Sequence, residues 1–579
     1  MNKVVLTGSV CSSASRLALS FAVFQAAANL WAADVSLYMV RKGMDYAQTS
    51  SSQPSADSRN GYTLQADVYP AVQGFVTNAY VKVFGSNSFT QLELTSSETH
   101  YQFKNSKNTL KALKNSFPDG NYLFAIYGKH DGTVSATLPL EGDDYPLTPY
   151  VTNFTLLQSV NANGYCVLGW EGYGVGAATD FIRLTVEDSA LNNLFQSPNM
   201  DKQGAWGGLT SYAVIGPGTF ATGQTYTVKL DFQKNTSVNL TSYPGALGVA
   251  GYFTETKLSM VTSLAAAPDV EEIEVDKSSL WSQTNSGLPV PDPSGQYEFK
   301  ATAKAYLAGA LTNGTLVLPA TPSGPATQSL ALQSDHVTLE FQDTASSATA
   351  LDSLYGMGNY TLNFNTPHNG AKSLTLALQS VTNAPPPPHA SNFNSLQALD
   401  ASQPFTISWD SWSGGPPSSF IQVRIEDLQG NKVFQTPNIG SQAALNARAT
   451  NCTVAAGTLL PGQSYVGSIY FKNLVGLNAA SYPAVLVYGD YGSKTAFPVT
   501  TQGAAAPVVL SLTRANPGHL IQVAATVTPL QSYRLDGSPA LPPVWTPLVT
   551  NTPAGSTFIF LDPNSAGRPQ FFYRLVLLP

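Results

Sequence analysis

Short runs that alternate apolar and polar residues recur along the chain. Residues 405–409 (FTISW) and 420–425 (FIQVRI) alternate with a period of two, as half-buried β-strands do. Turn residues such as Gly430-Asn431 separate one run from the next. Closely spaced strands with turn signals between them predict an all-β chain built of sandwiches.

Part of this pattern occurs twice. Residues 181–200 (FIRLTVEDSALNNLFQSPNM) and 420–439 (FIQVRIEDLQGNKVFQTPNI) share nine of twenty positions at a spacing of 239. The same spacing relates Ser-Tyr-Pro at 242–244 to 481–483, and Ala-Ala-Ala-Pro at 265–268 to 504–507. Flanking segments match less well, at spacings of 235 to 238. A duplication of this kind predicts a modular array.

A chain of 579 residues is too long for one hydrophobic core. We predict two copies of an A–B pair of sandwiches, followed by a small C-terminal β domain. The predicted domains are A1 at 34–145, B1 at 146–264, A2 at 269–384, B2 at 385–502 and the tail at 503–579. Residues 384–388 (APPPP) are typical of a stiff polyproline linker between A2 and B2.

The B modules resemble the fibronectin type III family. The resemblance rests on a Trp that closes an early strand and on a later corner sequence, residues 459–465 (LLPGQSY) in B2. It implies that Trp170 and Trp409 fill the cores, and that Tyr226 and Tyr465 form tyrosine corners. B1 departs from the pattern at 220–223, where FATG replaces the Leu-Pro-Gly of B2.

The A modules are interpreted as immunoglobulin-like sandwiches, with Tyr122 and Tyr360 as their corner tyrosines. The whole A–B arrangement resembles large secreted proteins of environmental Gram-negative bacteria. In those proteins a small C-terminal β domain ends in a Phe-Tyr-Arg strand, and residues 572–574 have that sequence. By analogy with other bacterial C-terminal sandwiches, a sorting or anchoring role is a hypothesis for the tail.

The N-terminus has the features of a secretory signal peptide, predicted over 1–28. Lys3 and Arg16 precede an apolar segment, residues 17–28 (LALSFAVFQAAA), and cleavage is expected after Ala28 or as late as Ala32. No later apolar run approaches the ~20 residues of a transmembrane helix. We therefore expect a secreted or cell-surface protein with no transmembrane segment.

Composition narrows the range of partners. Charged residues make up 11% of the chain and the net charge is −7, and no basic run is present to bind phosphates, which argues against nucleic acid. Cys166 and Cys452 do not occupy corresponding positions in the two copies, so we expect free, buried thiols rather than a disulfide framework.

Signals for catalysis are weak. No nucleophile elbow, zinc-binding helix motif or P-loop is found in the sequence. The pairs Glu187-Asp188 and Glu426-Asp427 are adjacent on strands, so their side chains point to opposite faces and cannot flank one bond. We expect no catalytic residues and no cofactor.

His130 and His368 precede Asp-Gly and Asn-Gly turns, and each is either a ligand-touching hairpin tip or a polar residue beside a tight turn.

Two sets of residues are weak candidates for binding. Trp206, Trp281 and Trp412 fall in predicted loops, where exposed rings stack on sugars or anchor partners, or instead cap the end of a sandwich. Asp269, Glu271 and Glu272 lie beside a domain junction and could contribute oxygen ligands to calcium. The alternation of residues 272–276 (EIEVD) instead favours the solvated, acidic face of a first strand, where edge charges discourage aggregation.

These observations predict a secreted, non-catalytic interaction or scaffold protein whose partner, a protein or a polysaccharide, is unknown. The alternative is a carbohydrate-binding accessory protein. A weaker alternative is an enzyme with a dispersed site.

Overall fold

A computed structural model gives the fold of the protein. It describes residues 33–57, 61–95, 99–173, 180–202, 204–319, 326–379, 384–416, 419–441, 443–478, 480–502, 510–515, 520–527, 532–540, 543–555, 557–566, 568 and 570–577. The predicted signal peptide and the predicted boundary at residue 503 lie outside these residues. Within them the protein is all-β, which confirms the predicted fold class. No helix in this part of the chain has the length and apolarity needed to cross a membrane.

The strands of the first A–B pair follow the alternating pattern of the sequence. In A1 they are β1 Val35–Ala47, β2 Ser55–Ala56, β3 Tyr62–Pro70, β4 Val76–Lys82, β5 Thr90–Gln91, β6 Glu93–Leu94, β7 Tyr101–Lys107, β8 Gly120–Gly128 and β9 Gly132–Leu140. In B1 they are β10 Val160–Asn161, β11 Cys166–Gly169, β12 Phe181–Glu187, β13 Asn193–Gln196, β14 Trp206–Gly207, β15 Tyr212–Ile215, β16 Thr225–Asn239 and β17 Leu247–Ser263.

The second pair repeats this order, except that one strand, β22 Thr327–Leu332, takes the place of β5 and β6 and no described strand of B2 corresponds to β10. In A2 the strands are β18 Val270–Ser282, β19 Val290–Pro291, β20 Tyr297–Ala305, β21 Gly314–Val317, β22 Thr327–Leu332, β23 Thr338–Ala345, β24 Gly358–Thr366 and β25 Gly370–Leu378. In B2 they are β26 Phe405–Ser408, β27 Phe420–Asp427, β28 Lys432–Gln435, β29 Leu445–Asn446, β30 Asn451–Val454, β31 Ser464–Val475 and β32 Leu486–Thr500.

The tail forms two three-stranded sheets around its own small core, which includes Val523, Tyr533, Leu535 and Phe558. Its strands are β33 Leu510–Ala515, β34 Leu520–Thr526, β35 Tyr533–Ser538, β36 Thr546–Asn551, β37 Thr557–Asp562 and β38 Phe572–Leu577.

Each A module also carries one short helix at the same place, α1 Leu110–Ser116 and α2 Ala348–Leu354. The side chains of Thr109 and Ser347 cap the two helices by accepting a backbone N–H three residues further on, each at 3.1 Å. Short 3₁₀ turns occupy Leu156–Gln158 and Phe393–Gln397 in the B modules.

A1 and B1 share one continuous sheet. β1 pairs in parallel with β17 from Leu37 beside Leu247 to Ala47 beside Lys257. The resulting order is β13-β12-β16-β17-β1-β3-β7-β6, and the second layers are β5-β4-β8-β9 in A1 and β11-β15 in B1. The strand that opens A1 is therefore the neighbour of the strand that closes B1.

The long strand β17 belongs to two hydrophobic cores. It has 17 residues, where a strand usually has about 5–6, and it extends roughly 55 Å at ~3.3 Å per residue. Ala250 and Tyr252 pack in the core of A1, whereas Leu258 and Met260 pack in the core of B1. Any bend between A1 and B1 would have to break this strand.

A2 and B2 are joined in the same way, by parallel pairing of β18 with β32. On its other side β18 pairs with β20. β18 therefore lies inside a sheet, and the expectation that residues 272–276 form an edge strand with a solvated acidic face is wrong. Asp276 is only 2% exposed.

The two A–B pairs also pack on each other. Tyr165 and Val214, from the outer sheet of B1, join Phe420, Leu474, Leu486 and Tyr488 of B2 in a separate apolar cluster. Main-chain hydrogen bonds cross this contact from Tyr165 N–H to the Ala484 carbonyl and from Gly216 N–H to the Gly440 carbonyl, both at 2.8 Å.

Candidate functional site

The tryptophans and tyrosines on which the fibronectin type III resemblance rests make hydrogen bonds within their own B modules. Trp170 and Trp409 are buried, and each indole N–H donates at 2.8 Å to a backbone carbonyl 40 residues further on. The Tyr226 and Tyr465 hydroxyls accept a backbone N–H five residues earlier, each at 2.8 Å. Both tyrosines thus have the geometry of a tyrosine corner.

The A modules have a related arrangement in which the tyrosine hydroxyl donates. Tyr122 donates to the Pro118 carbonyl at 2.9 Å, and Tyr360 donates to the Gly356 carbonyl at 2.5 Å. Both rings are fully buried. These hydroxyls satisfy carbonyls at the turn that follows each helix and therefore have a structural role.

His130 and His368 belong to a contact that we call the hairpin pin. In A1 one carboxylate oxygen of Asp34 accepts the N–H groups of His130 and Asp131 at 2.6 and 2.8 Å, and the other lies 2.6 Å from His130 Nδ1. Asp269 makes the same three contacts in A2, at 2.7 to 2.9 Å. Each Asp thereby ties the first strand of its A module to the tip of the last hairpin.

Hydrogen bonds determine the charge state of this pin. Burial by itself would raise the pKa of Asp34, but hydrogen bonds from Asp131 and His130 outweigh it, and the pKa lies below its ordinary value. The pKa of Asp269 is lowered in the same way by His368 and the Asn369 N–H against the effect of burial. Both carboxyls are therefore ionised near neutral pH.

The repeated Ser-Tyr-Pro sequence extends the hairpin pin into the B module. The Tyr243 hydroxyl donates to Asp131 Oδ2 at 2.9 Å, and the Tyr482 hydroxyl donates to Asn369 Oδ1 at 2.7 Å. These contacts lie between residues more than 110 positions apart in sequence. The motif is thus an anchor between A and B.

A buried charge network lies along each A–B seam, and its composition differs between the copies. In the first seam the Arg41 guanidinium on β1 bonds Asp231 Oδ2 at 2.5 Å and Gln233 Oε1 at 3.1 Å on β16. The pKa of Asp231 is raised by burial to about 6, although Arg41 opposes the shift. Arg41 therefore faces a buried carboxylate, and further along the same seam Lys257 forms ion pairs with Asp45 and Glu255 at 3.1 and 3.2 Å.

The second seam has the charges reversed and contains more carboxyls. Lys472 on β31 contacts Glu274 on β18, and its Nζ lies 3.2 Å from Asp490 Oδ2 on β32. The Tyr470 hydroxyl donates to Asp276 Oδ2 at 2.5 Å, and the Tyr488 hydroxyl donates to Glu272 Oε1 at 2.5 Å. We call this group of residues the acidic seam.

The acidic seam has too many carboxyls for all of them to ionise. Asp276 and Asp490 are side by side in register on adjacent strands, and both are buried. Burial raises the pKa of Asp490 well above its ordinary value, and the neighbouring Asp276 raises it further. The contact with Lys472 instead lowers the pKa of Glu274 against the effect of burial. The seam therefore holds a proton on its aspartate pair at a pH where exposed carboxyls have lost theirs.

The three calcium candidates do not converge on one site. Asp269 holds the hairpin pin, Glu271 forms an ion pair with Lys304 at 2.7 Å, and Glu272 accepts the Tyr488 hydroxyl. Among the described residues, no group of three or more His, Cys, Asp or Glu side chains is placed to hold a metal ion. These carboxyls thus have contacts of a structural kind.

The three candidate tryptophans have different environments. Trp412 is buried and stacks on Phe471 with ring centroids 4.9 Å apart, which favours the alternative that it caps the sandwich over the alternative of an exposed ring. Trp281 is half-buried at the end of β18, with its indole N–H bonded to Ser279 at 2.9 Å. Trp206 is half-buried in β14 and stacks on Trp170 at 6.0 Å. Trp206 also lines a cleft between B1 and B2.

A cleft with a volume of about 260 Å³ lies between B1 and B2, and we call it the inter-repeat cleft. B1 contributes Phe195, Trp206, Thr210 and Tyr212, and B2 contributes Phe420 and residues 439–441 and 443–446. None of the lining residues that the structure describes is charged. The cleft thus offers aromatic faces together with a few neutral polar groups.

Differences between the copies could have revealed the inter-repeat contact. The outward residues of the β11–β15 sheet in B1 are Tyr165, Val167, Tyr212 and Val214, and the corresponding residues in B2 are Pro404, Thr406, Asn451 and Thr453. The B1 face is apolar where it meets B2, whereas the four B2 positions are exposed. The inward residues of both sheets remain apolar.

The two cysteines and the adjacent carboxylate pairs singled out in the sequence have structural surroundings. Cys166 and Cys452 are free and buried. Glu187 forms an ion pair with Lys229 at 2.6 Å, and Asp188 accepts N–H groups within its own turn. Asp427 closes the equivalent turn in B2.

Comparison with known proteins identifies no family. No family model matches the chain, and no curated protein sequence matches it. Solved structures do match. One is a tetra-tandem repeat from the extending region of a large adhesion protein, with 12% identity, a TM-score of 0.14, and coverage of 79% of this chain and 99% of that one.

Two further structures give a similar result. The FN1–FN3 domains of chicken CNTN1 are 8% identical with a TM-score of 0.13, covering 60% of this chain and 100% of that chain. Escherichia coli alpha-2-macroglobulin activated by porcine elastase is 11% identical with a TM-score of 0.14, and the match covers 93% of this chain and 53% of that chain. At these TM-scores the likenesses add nothing to the description of this chain, whose own sheets show an all-β array.

Proposed function

We propose that this chain is a secreted, non-catalytic interaction or scaffold protein in which each A–B pair acts as a stiff spacer. One observation carries the proposal: β17 and β32 each run through two hydrophobic cores. Domains joined by a flexible linker move relative to one another by default. A strand shared by two cores removes that freedom within each pair.

The contact between the pairs supports the same role. Apolar side chains of B1 and B2 pack together, and main-chain hydrogen bonds cross the contact at Tyr165 and Gly216. The Asn446 side chain also donates to the Gly204 carbonyl at 2.7 Å. A stiff array presents surface loops at fixed separations, and loops are where binding residues concentrate.

Small-angle scattering of the chain without residues 1–28 tests the spacer proposal. We expect the curve to fit one elongated shape in which both A–B pairs keep a fixed orientation. A curve that requires a broad ensemble of angles within an A–B pair would contradict it.

A turnover assay on glycosides and esters that gives a rate abolished by one carboxylate substitution would overturn the non-catalytic assignment.

Export and attachment are part of the proposal, and they rest on the sequence of residues 1–28 and on the resemblance of the tail. The experiment compares the location of the full chain with that of a chain truncated after Gly503. If the tail has a sorting role, the truncated chain is exported but is no longer retained with the cell. Equal retention of both chains would remove that role.

The second proposed function is binding of carbohydrate as an accessory protein. Trp206 favours it, because an aromatic ring beside neutral polar groups can stack on the apolar face of a sugar. Pull-down on insoluble polysaccharides is the first test. Retention of the full chain on at least one polysaccharide supports this function, and no retention on any of them excludes it.

A further inference from the structure

The inter-repeat cleft has the composition of a site for a neutral, hydroxylated ring. Its aromatic walls come from both modules, Phe195, Trp206 and Tyr212 on one side and Phe420 on the other. Because no described lining residue is charged, the cleft offers nothing to neutralise a phosphate, a carboxylate or an ammonium group.

One polar group in the cleft has no partner within the described chain. Thr210 is only 2% exposed, and its hydroxyl makes no hydrogen bond with the described residues. A buried hydroxyl without a partner is unfavourable, so such groups normally bind a ligand or an ordered water. Thr210 lies in the wall of the cleft, and its Oγ1 is covered by neighbouring protein atoms, so a bound molecule would reach this hydroxyl only after its side chain rotates toward the cleft.

Three of the residues that B1 contributes to the cleft are specific to the first copy. Leu445, Ala449 and Asn451 stand in B2 where B1 has Trp206, Thr210 and Tyr212. Packing of B1 on B2 accounts for an apolar residue at position 212. This packing does not require a hydroxyl at position 210, because the corresponding residue of the second copy is Ala449. Thr210 is thus a polar feature that the fold itself does not need.

We propose that the inter-repeat cleft binds one neutral sugar ring, with the Trp206 indole stacked against its apolar face and the Thr210 hydroxyl rotated toward the cleft and bonded to one of its hydroxyls. The volume of about 260 Å³ is below the roughly 300–1,000 Å³ of pockets for drug-sized ligands, so a single ring or the end of a glycan fits best. This proposal rests on the second proposed function and names its site.

The test uses the full chain without residues 1–28 and the double variant Trp206→Leu/Thr210→Ala, which introduces the residues that B2 has at these positions. The probes are glucose, mannose, galactose and N-acetylglucosamine and their β-linked disaccharides, measured by calorimetry and by indole fluorescence. We expect at least one probe to bind the unchanged chain, and the double variant to bind it about tenfold or more weakly.

Controls separate the site from the function. Trp545→Phe, in the tail, should leave the affinity unchanged, and matching thermal transitions of the variants will show that the fold is kept. If a probe binds the unchanged chain and the double variant equally, the cleft is not the site, although carbohydrate binding stands. If the chain is retained on a polysaccharide but no probe binds up to about 10 mM, the single-ring site is likewise overturned. If the chain neither binds a probe nor is retained, site and function both fail.

Discussion

At the residue scale, a single carboxylate organises three distant segments of each A–B pair. Asp269 opens β18, accepts three donors from the turn at His368 and Asn369, and so places Asn369 beside Tyr482 of B2. Because Asp34 makes the same contacts in the first copy, the hairpin pin is a retained feature of the duplicated unit.

Removing this carboxylate should loosen the hairpin β24–β25. Hydrogen bonds to a charged group contribute about 1.5–3 kcal/mol each, so we expect Asp269→Ala to lower the opening free energy of the hairpin by at least about 2 kcal/mol. Amide hydrogen exchange of residues 364–372 measures it. The control is His368→Ala, which keeps both main-chain bonds and should have a smaller effect. Equal effects of the two substitutions would mean that the main-chain bonds contribute little.

Ala484 has a backbone conformation that favours glycine. Its φ is +72°, and the corresponding residue in the first copy is Gly245, with φ +87°. A left-handed conformation costs an L-residue about 1–2 kcal/mol, and the greater freedom of glycine in the unfolded chain cancels part of that. We expect Ala484→Gly to stabilise the second A–B pair by about 0.5–1 kcal/mol in denaturant unfolding.

The reciprocal change should have the opposite effect. A Cβ at Gly245 would lie 3.0 Å from the Cβ of Ala33, in addition to the backbone cost. We expect Gly245→Ala to destabilise the first pair by about 1–2 kcal/mol. If both substitutions destabilise, the Ala484 side chain makes contacts that outweigh its strained backbone.

At the scale of elements, the seams between A and B show what could be predicted from the sequence. Alternation of residues 272–276 correctly indicates a strand. It does not reveal whether the polar face meets water or another strand, because the partner β32 lies about 200 residues further on and pairs only in the folded chain. Apolar and polar residues alternate with a period of two whether the polar face meets water or another strand.

A signal for the seams was nevertheless present in the two copies. Arg41 and Asp276 occupy corresponding positions, as do Asp231 and Tyr470, and Gln233 and Lys472. The cation is on the A strand in the first copy and on the B strand in the second. Such paired changes of charge at distant positions indicate contact, whereas composition and motifs do not reveal it.

The acidic seam should make the second A–B pair sensitive to rising pH. The pKa of Asp490 is raised in the folded chain above its unfolded value of about 3.9, so the folded state binds more protons. The stabilising effect is complete below pH 4 and is lost as pH rises toward the folded pKa. The charged and titratable groups around it are Glu272, Glu274, Asp276, Glu298, Lys300, Tyr470, Lys472, Tyr488 and Lys494.

Asp490→Asn isolates this contribution, because the amide keeps the shape of the side chain and cannot ionise. We expect the melting temperature of the variant, relative to that of the unchanged chain, to rise as pH increases from 4 to 8. Gly251, the corresponding residue of the first seam, has no ionisable group, so the first pair should not contribute to the difference. A difference that is constant with pH would show that Asp490 has an ordinary pKa.

At the scale of the whole molecule, the two copies differ most where they face different surroundings. The outer β11–β15 sheet of B1 is apolar and meets B2, whereas the equivalent β26–β30 sheet of B2 is polar and exposed. Repeat proteins commonly end in a module with a polar outer face, which prevents further stacking. The second copy therefore has the surface of a terminal module.

This difference leads to a substitution that should uncouple the two A–B pairs. Tyr212→Asn/Val214→Thr gives B1 the outer residues of B2 and removes apolar contacts from the inter-repeat cluster. Burying a large apolar side chain contributes about 1.5–3 kcal/mol, so we expect the packing of the pairs to weaken by about 2–4 kcal/mol. Scattering should then require a range of angles between the pairs, and the amides of Tyr165 and Gly216 should exchange faster. Asn451→Tyr/Thr453→Val, at the equivalent positions of B2, is the matched control and should leave this packing unchanged. If the B1 variant keeps one fixed shape and protected amides, the polar bonds at Gly440 and Ala484 hold the pairs together without the apolar cluster.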